Sequence, residues 1–284
     1  MESLQSIKRR MQSVQKTSKI TAAMKLVSIV KLKHSRDQFN KIQDYYKEFY
    51  SIVSAILNSV EDLTFMNPVD KNAGTLYIVI NSSLGLCGAY NNNVNKMINA
   101  QLKPKDKLIL IGKKAFSFYR NHNHASQIMS QIDLADNQIN LNEVQAIGDV
   151  ALNDYKEGKV SKVVIAYTKF INAMTFEANT VQLLPIDKEL MVKKIASKLN
   201  LGRVEFLPDE NELVNALIPS YLYTFVYGAL LESKVCEFAS RRNAMDTATN
   251  NANDLSEKYL LDFNKMRQAK ITEDLIEMMG GGNR

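Results

Sequence analysis

For about sixty residues from Glu2 the chain contains neither proline nor glycine. Nothing in that stretch interrupts a helix, and the spacing of its apolar residues selects one. Leu4, Ile7, Met11 and Val14 step by three and four, and the polar Ser18 and Thr21 continue that phase. The apolar residues then move to Ile20, Ala23, Val27 and Val30, a change of phase that reads as a stutter. After a polar patch from Lys31 to Gln38 the stripe resumes at Phe39, Ile42, Tyr46, Phe49, Val53, Ile56 and Val60. Strict alternation of three and four marks a narrow coiled-coil seam. About 60 residues at about 1.5 Å each would make a rod of roughly 90 Å. A helix of that length with so thin an apolar stripe needs a partner.

The other end of the chain supplies one. Asp209, after Pro208 and three residues before Glu212, reads as the N-cap of a second long helix reaching Met279. Pro219 falls about two turns in and predicts a kink. The segment Tyr221 to Tyr227 is apolar on most sides, as in a helix covered all round by protein. Further on, Met245, Ala248, Ala252, Leu255 and Tyr259 form a stripe, and Gly280 to Gly282 ends the helix. Two such helices at opposite ends of a chain predict antiparallel pairing. The Leu4 to Val30 stripe would then face the Met245 to Met279 region.

Between them the pattern changes. Thr75–Asn81, Lys107–Gly112, Lys162–Tyr167 and Phe176–Leu184 read as strands. Helical patterns over 91–100, up to Tyr119 and over 143–155 alternate with them, which indicates a small α/β sheet. The expected fold class is therefore α/β: a long antiparallel coiled coil of the N- and C-terminal helices plus a central Rossmann-like α/β domain. The expected divisions are 1–62, 72–190 and 209–280.

Composition narrows the chemistry. The net charge of +6 favours acidic partners without implying nucleic acid. Nine cations between Lys8 and Arg36 face Glu2 alone, so the basic character is concentrated in the first helix. That pattern suits a solvated helix face, a lipid or nucleic-acid surface, or a shaft inside an acidic collar. Two distant cysteines, Cys87 and Cys236, outside any CxxC pair, suggest a reduced intracellular protein. The longest apolar stretch, Tyr221 to Leu231, is too short to span a bilayer. Asn81 to Gly88 and Ile111 to Lys114 each resemble part of a phosphate loop, but neither has its glycine and lysine spacing. His122 and His124 lack a third metal donor at a recognisable distance, and Cys87 lacks a base. No catalytic residue, metal or cofactor is expected.

Five stretches resemble one family in order along the whole chain. Ile7 to Val27, including Lys8-Arg9-Arg10-Met11 and Ala22-Ala23-Met24-Lys25, resembles the N-terminal signature of the gamma subunit of F-type ATP synthases. Phe263 to Glu277, with Met266-Arg267-Gln268-Ala269 and Ile271-Thr272, resembles its most specific motif. Leu84 to Asn91, Gln182 to Pro185 and Arg241 to Ala252 are similar to three more. The resemblance implies a central rotor shaft, itself non-catalytic. Its two terminal helices enter a ring of alternating alpha and beta subunits. Its α/β foot meets an epsilon-type subunit and the membrane rotor ring.

The same resemblance implies roles for particular residues. Arg267, Gln268 and Thr272 match polar positions that contact a beta-subunit loop. Met24 and Lys25 match a segment near the beta-subunit lever, and Arg241 a second coupling arginine, with an interhelix ion pair as its alternative. Gly85, Cys87 and Gly88 match a turn near lever and foot, and Leu275 to Met279 a tip seated in an apolar bearing. The chain departs from the family at Ala22, at Ser82-Ser83-Leu84 in place of a Ser-Asp-Arg run, at Phe263, at Glu273-Asp274 and at its Gly282-Asn283-Arg284 end. The missing charged pair at Ser83-Leu84 motivates an alternative, a gamma-like shaft in a rotary ATPase that hydrolyses ATP to drive another machine. A free-standing α/β enzyme with helical arms is a third reading. The implied location is peripheral, on the cytoplasmic face of a bacterial plasma membrane, with the mitochondrial matrix face as the other setting.

Overall fold

The computed structural model describes residues 3–59, 65, 67–133, 139–172, 174–186 and 210–281. The N-cap expected at Asp209, the seam position Val60 and Gly282 lie outside them. Two compact units share the chain: Lys31–Ser240, and Met1–Val30 together with Arg241–Arg284. The first helix, α1, covers Leu4–Ser59. Strands and helices then alternate as β1 (Gly74–Ile80), α2 (Tyr90–Asn99), β2 (Lys107–Ile111) and α3 (Lys113–Asn121). They continue as β3 (Ile128–Ile132), α4 (Leu141–Lys156), β4 (Val160–Phe170) and β5 (Phe176–Leu184). The last helix, α5, covers Glu210–Gly281 and continues through Pro219.

In the unit Lys31–Ser240 the strands form one sheet in the order β3-β2-β1-β4-β5. All pairings are parallel except β4 with β5. Parallel strands need both faces covered, and the apolar runs provide for this. Leu76, Ile78 and Ile80 point to one face with Ile109, Val163 and Ile165. They pack there on Val53 and Ile56 of α1, Ile147 of α4, and Ile218, Leu222 and Val226 of α5. Tyr77, Val79, Leu108 and Leu110 point to the other face, under Val94 and Ile98 of α2 and Tyr119 of α3. The result is three layers with the sheet in the middle.

The strand β3 was not expected from sequence. It is an edge strand with alternate residues exposed, and the polar Ser130 and Gln131 break its apolar signal. Here the α1 and α5 segments run antiparallel. Lys31 lies 5.5 Å over the Phe238 ring, Tyr46 lies on Gly228, and Tyr50 meets Phe225 and Tyr221 edge-on at 6.1 Å. The segment Tyr221 to Tyr227 is buried or half-buried throughout, as its apolar character requires.

The unit Met1–Val30 with Arg241–Arg284 is a helix pair, and its seam differs from the expected one. A row of buried or half-buried residues, flanked by the half-buried Ser6, Ala22 and Met24, runs along α1 through Leu4, Ile7, Met11, Val14, Ser18, Thr21, Lys25 and Ser28. Their spacing of three and four never breaks, so there is no stutter. It continues in the same phase through Leu32, Ser35, Phe39, Ile42, Tyr46, Phe49, Val53 and Ile56. The residues expected to carry the middle of the stripe, Ile20, Ala23, Val27 and Val30, are all exposed. On α5 the seam is Met245, Thr249, Ala252, Ser256, Tyr259, Phe263 and Met266, while Leu255 is exposed. The inverted segments break the link between apolarity and burial because polar pairs occupy the seam there.

The turn between β2 and α3 gives a stability test. Gly112 has φ +90°, and a Cβ there would lie 2.3 Å from the Asn81 carbonyl oxygen. Gly112→Ala should cost about 3 kcal/mol or more, from backbone strain and an unyielding clash. Gly85→Ala meets only the end of the Lys114 side chain at 3.4 Å, and should cost under about 1 kcal/mol. Urea unfolding of the two variants measures the difference.

Candidate interaction surface

Three contacts fix the register of the helix pair. Ser18 Oγ donates to Asn253 Oδ1 at 2.6 Å, the Thr21 and Thr249 hydroxyls lie 2.8 Å apart, and Lys25 Nζ meets Asp246 Oδ1 at 2.6 Å. Seven residues forward on α1, from Ser18 to Lys25, are matched by seven back on α5, from Asn253 to Asp246, so the pair is antiparallel. Ser28, 2% exposed, satisfies its own hydroxyl by donating to the Met24 carbonyl at 2.8 Å. Thr21, 9% exposed, donates in the same way to Ser18 at 3.0 Å. Lys25 and Asp246 keep 37% and 48% of their side-chain surface, so solvent screens the ion pair and it is worth at most about 1 kcal/mol. Polar groups inside a seam contribute less to stability than to the choice of register.

The apolar side chains displaced from the seam form the outer surface. Ile20 (59% exposed), Leu26, Val27, Ile29 and Val30 (70%) all face outward on α1. The same register brings Leu4 opposite Arg267, so α5 runs on past the first residues of α1. Every residue from Arg267 to Met279 is exposed, with Ile271, Leu275, Ile276, Met278 and Met279 (81%) among them. Among the described residues the pairing of the first helix with α5, expected as far as Met279, reaches Arg267, opposite Leu4, the first residue of α1. Apolar surface on this scale marks a site of contact with other proteins.

The residues singled out from sequence fall in separate places. Met24 and Lys25 are half-buried on α1, the latter held by Asp246. Arg241 is buried, at 6% exposure. Arg267, Gln268 and Thr272 are exposed on the terminal part of α5. The Thr272 hydroxyl donates to the Gln268 carbonyl at 2.9 Å, so toward a partner it offers an acceptor. Sequence reasoning missed the pairing roles of Asn253, Thr249 and Asp246. The unbroken spacing through Ser18 and Thr21 was the available signal.

The turn after β1 is a tightly bonded knot within the other unit. The Asn91 side chain accepts from Ser82 N at 2.9 Å and donates to Ser82 Oγ at 2.8 Å and Cys87 Sγ at 3.2 Å. Ser240 on α5 donates to the Cys87 carbonyl at 2.6 Å. Leu86 and Gly88 take positive φ of 60° and 57°. Gly85 is half-buried, Gly88 is exposed, and Leu84 and Leu86 point outward. Ser83 donates to Asp133, which also pairs with Lys113 at 2.9 Å, and these two partners lower the Asp133 pKa.

The two cysteines meet in one small cluster with Tyr90, both as free thiols. Burial, and then Glu232, push the Cys236 thiol far above its ordinary value, which leaves it unreactive. The His122 ring stacks on Phe118 with Nδ1 2.7 Å from that residue's carbonyl, and His124 sits between Gln127 and Asn99. No cluster of potential metal ligands occurs among the described residues. None of the described helices is long and apolar enough to cross a membrane.

A family model described as ATP synthase matches residues 3–283. The ATP synthase gamma chain of Ureaplasma urealyticum serovar 10 is 43% identical over 284 residues, covering 99% of each chain. That of Mycoplasma genitalium is 39% identical over 285 residues, covering 100% of each. Among solved structures, a chain of the Euglena gracilis mitochondrial ATP synthase (OSCP/F1/c-ring, rotational state 3) is similar with a TM-score of 0.69. It is 19% identical, and the match covers 98% of this chain and 93% of that one. The central stalk/c-ring structure of the Tetrahymena thermophila enzyme gives 0.62 at 22% identity, covering 81% and 99%.

The register is directly testable. Cysteines replacing Ser18 and Asn253 should form a disulfide within one chain under mild oxidation. Cysteines replacing Ser18 and Leu260, one heptad or roughly 10 Å out of register, should not. Gel mobility under non-reducing conditions reads both, and crosslinks between chains only would contradict antiparallel pairing.

Proposed function

The chain belongs to the ATP synthase gamma family, the central rotor shaft of an F-type complex, and we propose that its inverted helix pair is the face that couples rotation to the beta-subunit sites. The observation that carries this reading is the outward apolar surface. A helix pair with polar groups in its seam and Ile20, Val27, Val30, Ile271 and Ile276 outside is built to be surrounded. The occupants of that surroundings are the alpha and beta subunits, with the tip from Leu275 to Met279 turning in an apolar bearing. Methionine suits a contact that slides, since its flexible thioether re-packs readily.

Torque in such a device is a coupling free energy between shaft angle and site conformation. Apolar contact varies smoothly with angle, so angle-specific bonds must come from polar groups. Arg267 and Gln268 supply donors and Thr272 an acceptor, from an exposed stretch of α5. Each charge-assisted hydrogen bond contributes about 1.5–3 kcal/mol, enough to favour one angle and small enough to break in each step. Met24 and Lys25 take part from α1, and Arg241 acts from within the helix pair. The turn containing Gly85, Cys87 and Gly88 lies toward the lever and foot. The α/β foot meets an epsilon-type subunit and the membrane rotor ring, so the chain is peripheral to the inner face of the plasma membrane. Catalysis resides in the beta subunits and proton transport in the membrane sector.

Replacing Arg267 and Gln268 together with alanine should leave the complex assembled and lower its steady-state ATPase turnover by about tenfold, since about 1.4 kcal/mol is a factor of ten. Lys265→Ala should change it much less. Unchanged turnover in the double variant, measured on equal amounts of complex, would mean that torque passes through shape alone.

Purified without alpha and beta subunits, the chain should not hydrolyse ATP above trace rates. A pull-down should recover those subunits together with the proton ring. Recovery of the alpha and beta subunits without any proton ring would favour the shaft of a hydrolytic machine.

A further inference from the structure

The sheet order puts a topological switch point between β1 and β4, because the chain leaves β1 for β2 on one side and crosses back from β3 to β4 on the other. Open α/β sheets bind ligands in the crevice outside the carboxyl ends of the strands at such a point. Here the crevice that remains lies on the other side of β1, at the carboxyl ends of β1 and β2, and α5 roofs it. Leu230, Ser233, Lys234 and Glu237 lie over Ile80, Asn81 and Ile111. The remaining space is about 10 Å³ for the centre of a water-sized molecule, far too little for a nucleotide and close to the minimum for one water.

Two fully buried polar atoms on opposite walls of this space have no hydrogen-bond partner: Asn81 Oδ1, at the end of β1, and Ser233 Oγ, on α5. The Asn81 amide cannot satisfy itself by turning, because its Nδ2 donates to Asn95 Oδ1 at 2.6 Å. The Tyr90 hydroxyl faces Ser233 from α2 but outside hydrogen-bonding geometry. An acceptor, a hydroxyl that gives and takes, and a phenol around a space of that size match the two to four partners a buried water requires. We infer that one ordered water molecule occupies the crevice, donating to Asn81 Oδ1 and bonded to Ser233 Oγ, with the Tyr90 hydroxyl as its third neighbour. It ties α5 to the carboxyl ends of β1 and β2.

Two measurements on the full-length chain test this. A crystal structure resolving waters should show one density peak about 2.6–3.2 Å from both Asn81 Oδ1 and Ser233 Oγ. An empty crevice overturns the inference. The sign of the Ser233→Ala effect is the second reading. A hydroxyl bonded to water loses a partner on removal, so the thermal midpoint should fall by about 2–4 °C. An orphaned hydroxyl is better removed, so an unchanged or raised midpoint also overturns the inference.

Discussion

A helix pair is held together over a strip barely one side chain wide, and the nature of this chain's shaft depends on what fills that strip. Between Ser18 and Ser28 it is filled by small polar residues and one lysine, facing Asn253, Thr249 and Asp246. Apolar side chains would have given more cohesion, but leucine packs almost equally well one heptad up or down. Hydrogen bonds do not, since a shifted pair loses the Ser18–Asn253 bond, the Thr21–Thr249 contact and the Lys25–Asp246 pair together. The seam gives up some stability for a single register, and the apolar side chains it excludes become surface.

That exchange also explains where sequence reasoning succeeded and where it failed. The helices, the α/β class and four of the five strands were legible because each is written in apolar spacing. The strand β3 was missed because an edge strand needs only one covered face and tolerates Ser130 and Gln131. The seam between Ile20 and Val30 is not legible in apolar spacing because Ile20, Ala23, Val27 and Val30 are exposed there and polar residues are buried. Ser18 and Thr21 were in phase with the true seam, yet polarity outweighed phase. Leu255 misled in the same way, with Ser256 taking its place against the partner helix. Arg267, Gln268 and Thr272 were singled out by resemblance alone, and the structure places all three on an exposed stretch of α5.

The α/β unit shows how a fold that commonly holds nucleotides serves another purpose. A small space lies at the carboxyl ends of β1 and β2, and the sequence after β1 resembles a phosphate loop without its lysine. The structure adds a physical obstacle, since Leu230 and Ser233 of α5 occupy the approach. The Asn91 bonds then hold the turn, and Ser240 fastens the helix to the Cys87 carbonyl. The turn after β1 is an anchorage for a helix.

Anchorage and release are the opposing demands on such a molecule. Within the α/β unit, α5 is fixed by deep apolar contacts at Ile218, Leu222 and Val226 and by hydrogen bonds whose partners are buried. In the helix pair the balance reverses. The seam there is polar and narrow, the Lys25–Asp246 pair is screened, and every residue from Arg267 to Met279 is exposed. Buried contacts with many partners exchange slowly, whereas exposed side chains on a lone helix can make and break single bonds. A shaft needs the first kind where it is held and the second where it works, because a bond that biases an angle must also be lost when that angle has passed. The distribution of burial along α5, from wholly covered near Tyr221 to wholly open beyond Arg267, meets both demands within one continuous helix.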